Sequence, residues 1–86
     1  MDSLKVNDTE LKITLKAATL FESLTGENFN SVFDSFSMKN SLLLMFCCYM
    51  AAGKPRDSFS EFLGFVNEEN YCGFLKLIED FYHGRG

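Results

Sequence analysis

SMKNSLLLMFCCYMAAG, residues 37–53, contains the longest apolar run of the chain. No charged residue interrupts Leu42 to Ala52. The run is about half of the roughly 20 residues that a bilayer-spanning helix needs, so it reads as a buried helix and not as a membrane anchor. Ser37 offers a side-chain oxygen to the first turn, and Gly53 offers a left-handed stop. Those two residues bound a helix over Met38–Ala52. Its apolar residues surround the whole circumference, and a helix of that kind lies at the centre of a core or is shared between subunits. Self-association is the expectation that follows.

Toward the C-terminus, Gly53, Lys54, Pro55 and Arg56 form a break, because proline has no amide proton and disfavours helix at the residue before it. Ser58 and Glu61 then match the capping-box spacing, with Phe59, Phe62, Leu63 and Val66 as the stripe to be buried. Asn67, Glu68, Glu69 and Asn70 mark a bend or a second start. Beyond them Tyr71, Phe74, Leu75, Ile78, Phe81 and Tyr82 recur in steps of three and four, which gives a last helix with a wide apolar face. Lys76, Glu79 and Asp80 occupy its other face, and Gly84 to Gly86 are expected to fray.

Toward the N-terminus, Leu11, Ile13 and Leu15 alternate with Lys12, Thr14 and Lys16, the period of a half-buried strand. Leu4–Val6 can pair with it across the turn formers Asn7, Asp8 and Thr9, so a β-hairpin is expected over residues 4–15. Helical character starts at Lys16, runs through Leu20, Phe21 and Leu24 on one side, and stops at Gly26. Residues 27–37 read as a loop or one helical turn pinned by Phe29, Val32, Phe33 and Phe36. The fold class is therefore mainly α: a single domain of about four helices with a short N-terminal hairpin, ordered over about residues 4–82.

Composition narrows the function. Eight basic residues against twelve acidic ones give a net charge of −4, and the basic ones form no stripe. Phosphate contacts dominate nucleic-acid affinity, so direct DNA or RNA binding is not expected. The three cysteines, Cys47, Cys48 and Cys72, form no CxxC pair. They read as structural thiols of a reducing, cytoplasmic setting, and no signal-like segment follows the polar N-terminus.

Catalytic patterns are missing as well. The single histidine, His83, stands beside a glycine-rich terminus where a helix end favours a cation. Glu68 with Glu69 and Glu79 with Asp80 are sequence neighbours, which diverge by about 100° on a helix and do not converge on one substrate atom. Met45, Phe46, Tyr49 and Met50 have the adaptable chemistry of a ligand pocket, but core packing is the plainer reading. No enzyme activity, metal or cofactor is expected.

One resemblance spans about residues 10–82. ELKITL at 10–15, AATLFESLTGENF at 17–29, the apolar helix, the Pro-containing turn and SFSEFL at 58–63 together resemble the small tail assembly chaperones of long-tailed bacteriophages and prophages. The most telling piece is Leu20-Phe21-Glu22-x-Leu24-Thr25-Gly26 followed by Phe29. The resemblance implies a non-enzymatic, mostly helical, self-assembling protein that binds the tape measure protein and tail tube subunits. Many such proteins also have a longer, frameshifted acidic form, and no long acidic extension is present in these 86 residues. The alternative is a bacterial regulatory adaptor or antitoxin-like protein that binds one partner through a helical face.

Either partner would be read by apolar anchors at helical spacing. The candidates are Phe62, Phe65, Phe74, Leu77, Ile78 and Phe81. Packing against the central helix is the expected fate of Phe74 and Ile78. Leu77 and Phe65 lie off the main stripe of their helices and are the better candidates for partial exposure.

Overall fold

The computed structural model describes residues 4–34, 37–53 and 57–85. Within them the chain forms strands β1 (Leu4–Val6) and β2 (Thr9–Leu11) and five helical segments: α1 (Leu15–Thr25), α2 (Ser31–Asp34), α3 (Met38–Ala51), α4 (Phe59–Leu63) and α5 (Glu68–Arg85). The architecture is mainly α with an N-terminal antiparallel hairpin. The proline turn expected around Pro55 lies outside the described residues, as do the side chains of Phe33 and Phe36.

The hairpin is tighter than its alternating pattern suggests. Asn7 and Asp8 alone form the turn, with φ of 51° and 60°, so both adopt the left-handed conformations of a two-residue primed turn. Pairing Leu4 with Leu11, Lys5 with Glu10 and Val6 with Thr9 sends Val6, Thr9 and Leu11 inward and sets opposite charges across the outer face. The second strand is therefore Thr9–Leu11 and not Leu11–Leu15. Thr14 ends the extended segment, because its hydroxyl accepts the Ala17 amide as the N-cap of α1. Leu15, expected on the buried face of a strand, becomes the first residue of the helix and is 88% exposed.

α3 is the axis of the molecule. Ser37 caps it through the Asn40 amide, as its position in the sequence predicts, and the helix ends with Gly53 at φ 106°. All six residues from Leu44 to Tyr49 are buried, which takes neighbours on every side. α1, β2, α4 and α5 supply them. One chain thus accounts for the helix's circumferential apolarity, and sharing α3 between subunits is not needed to explain it. Met45, Phe46 and Tyr49 are buried members of this core.

α1 lies along α3 through Ala17 and Phe21, one turn apart and fully buried. Gly26, at φ 73°, donates its amide to the Glu22 carbonyl and closes the helix. Leu24, expected beside Phe21, is 54% exposed. α4 has the expected capping box, with Ser58 and Glu61 exchanging side-chain-to-backbone bonds at 3.1 and 2.8 Å. Phe62 anchors it against Phe46 and Tyr49, with ring centroids 5.5 and 4.8 Å away. Leu63 turns outward, because a five-residue helix presents only one side to α3.

α5 opens with a second reciprocal cap. The Asn67 and Asn70 side-chain carbonyls accept each other's amides at 2.8 and 2.9 Å, and Asn70 Nδ2 donates to the Phe65 carbonyl. Glu68 and Glu69 follow in the first turn, where the helix dipole favours acidic residues. Gly73 lets α5 approach the hairpin closely: a Cβ there would stand 3.0 Å from Leu4 Cδ1. The helix continues through His83 and Gly84, and Tyr82, expected on the apolar face, is 53% exposed.

Candidate protein-docking face

The six candidate anchors divide by burial. Phe62 and Phe74 are fully enclosed and Ile78 nearly so, so a partner reaches these three only if the core opens. Leu77 and Phe81 are half-buried and lean against that core. Phe65 is 41% exposed and stands outside the core cluster. Leu77 and Phe65 are thus both partly exposed, as their off-stripe positions predict, and only Leu77 also leans on the core.

Phe81 also lines a groove that the candidate set did not include. The start of α1, the loop before α2 and the end of α5 border this open groove of about 710 Å³, with Ile13, Leu15, Ala18, Phe29 and Phe81 as its apolar walls. Phe29 organises this side of the molecule, since its ring meets Phe21 and Phe81 edge-on at centroid distances of 6.4 and 5.9 Å. The Phe29 amide donates to Glu22 Oε2 at 2.7 Å, which ties the loop to α1. Thr14, Thr19, Asn28 and Asn30 add neutral polar groups to the lining, and Glu22 adds a carboxylate.

The sequence hint to this groove was the Leu20–Phe29 string, which places Glu22 one helical turn before Gly26 and Phe29 just after the stop. What the string hides is Leu15. Its exposure depends on the chain turning from strand to helix at Thr14, one residue earlier than the alternating pattern suggests.

Tyr49 of α3 carries a part-buried polar relay. The Tyr49 hydroxyl accepts from Asn7 Nδ2 and donates to Asp57 Oδ2, and burial followed by the Asp57 bond pushes the phenol's pKa up. Ser41, also buried, lies 2.8 Å from the Tyr71 hydroxyl and bonds the Ser37 and Met38 carbonyls. Burial raises the Cys47 thiol to about 11 and raises Cys48 further, so neither is a nucleophile at neutral pH. Cys72 departs from the expectation of three packed thiols: it is exposed on α5.

His83, Glu68, Glu69, Glu79 and Asp80 are all exposed. Among the described residues no three of His, Cys, Asp and Glu are grouped as a metal site requires, and no helix is long and apolar enough to cross a membrane. No protein-family model, curated protein or solved structure matches the chain.

Proposed function

We propose that the chain is a non-enzymatic, cytoplasmic tail assembly chaperone, which shields an apolar helical segment of a phage tape measure protein and also meets tail tube subunits. The observation that supports this reading best is the groove beside Leu15. A helix-in-groove partner needs a concave apolar floor and a side chain at its rim that the host's own core does not use. Leu15, 88% exposed at the rim, is such a side chain, and Phe81 on the facing helix is half-buried against the core below.

Self-association belongs to the proposal too. Its support is the two-stranded hairpin, whose outer edges are unpaired within the sheet, together with exposed Phe65 and Leu63 at the α4–α5 corner. Sedimentation from low to high micromolar protein tests it, and a constant monomer mass throughout would remove it. The chaperone reading is tested by co-expression with the tape measure and tail tube proteins of the same genome. A stable co-eluting complex is the expected result. If the folded wild-type chain binds neither protein, the chaperone reading is wrong.

A further inference from the structure

Glu22 gives the groove a charge. Its side chain is exposed, and its Oε2 accepts the Phe29 amide at 2.7 Å, which holds the carboxylate at the groove wall. Among the described residues no basic side chain pairs with it, and it is the one ionisable group lining the groove. A fixed, unpaired anion among aliphatic and aromatic walls favours a cation, more so in a chain with a net charge of −4.

We infer that the α1–α5 groove seats a helical segment that presents aliphatic anchors to Ile13, Leu15 and Ala18 and one Lys or Arg to Glu22. The inference rests on the chaperone reading and specifies the face and the chemistry of the partner. The cation sets register and orientation, while apolar burial at Leu15 supplies most of the affinity. An acidic amphipathic helix of the same apolarity is disfavoured by repulsion at the same point.

The probe is a set of helical peptides tiled across the tape measure protein, with binding read by fluorescence anisotropy against the full chain. Two variants separate groove from charge. Leu15→Gln changes an exposed side chain to a neutral helix former, so the fold is unaffected, and about a tenfold or greater loss of affinity is expected from the lost apolar burial. Glu22→Gln keeps an acceptor for the Phe29 amide and removes only the charge, which is expected to weaken binding about threefold to fivefold at low salt. That difference disappears at high salt. It disappears as well when the peptide's Lys or Arg is replaced by Gln. A peptide that binds the wild type and both variants equally overturns the inference and leaves the chaperone reading standing. Equal binding to the Glu22→Gln variant alone overturns the charge pairing. If no peptide binds the wild-type chain, the chaperone reading fails and this inference fails with it.

Discussion

The Tyr49 hydroxyl donates to Asp57 Oδ2 at 2.5 Å, joining the middle of the core to the segment that leads into α4. The same oxygen accepts from Asn7 Nδ2 at 3.0 Å, so one phenol ties hairpin turn, α3 and α4 entrance together. Tyr49 is fully buried, and its ring also packs on Phe62.

Tyr49→Phe keeps the ring and removes the hydroxyl, leaving the Asn7 amide and the Asp57 carboxylate without their shared partner. Asn7 is exposed and Asp57 half-buried, so water replaces part of what is lost, and the expected cost is about 0.5–1.5 kcal/mol, the net worth of a typical intramolecular hydrogen bond. Urea unfolding monitored by circular dichroism measures it. An unchanged midpoint would mean that water replaces the hydroxyl at no cost and that the relay does not hold the hairpin in place.

The raised Cys47, Cys48 and Tyr49 groups make stability fall in alkali. In the unfolded chain the thiols lose their protons near pH 9.0 and the phenol near pH 10.0, while the folded state retains them to higher pH, Cys47 to about 11. Above pH 9 the unfolded state therefore binds fewer protons, and unfolding becomes easier as pH rises. Each such group adds a slope of about 1.4 kcal/mol per pH unit between its unfolded and folded values. Urea midpoints are expected to be flat on the neutral side of pH 9 and to drop steadily beyond it. A flat profile through pH 10.5 would contradict the burial of these groups.

Thiol labelling separates the cysteines. Cys72 is exposed and is expected to react with a disulfide reagent at the rate of a free thiol, while Cys47 and Cys48 react only through unfolding. One fast equivalent per native chain and three in denaturant is the expected count. Replacement by Ser follows the same order: Cys47→Ser and Cys48→Ser lower the melting temperature, and Cys72→Ser leaves it nearly unchanged.

Phe65→Asp and Leu77→Asp are not equivalent tests of the docking face. Phe65 is outside the core cluster, so its replacement is expected to keep the melting temperature within a few degrees. Leu77 leans on the core, and a carboxylate there is expected to cost about 1–3 kcal/mol. If Phe65→Asp folds and still binds a tape measure segment as the wild type does, the α4–α5 corner is no part of the docking face. If Leu77→Asp is as stable as the wild type, its half-buried packing contributes nothing.

The sequence by itself determined the local punctuation of this protein. Ser37 and Ser58 with Glu61 cap helices where their spacing places them, and Gly26 closes α1. The apolar steps of α5 put Phe74 and Ile78 in the core. These features depend on groups within about four residues of one another, so periodicity and capping chemistry report them directly. Only the tertiary structure decided which surfaces remain. The Asn7–Tyr49 and Ser41–Tyr71 bonds join residues 42 and 30 positions apart, and no local pattern specifies such pairs. Leu15 and Leu24 illustrate the same limit. The strand period predicts burial for Leu15, yet the Thr14 cap turns it into solvent; the helical side shared with Phe21 predicts burial for Leu24, yet it is 54% exposed. A side chain's exposure depends on which elements pack beside it, and α3 gathered α1, β2, α4 and α5 around itself in an arrangement that only the summed burial of all four could select.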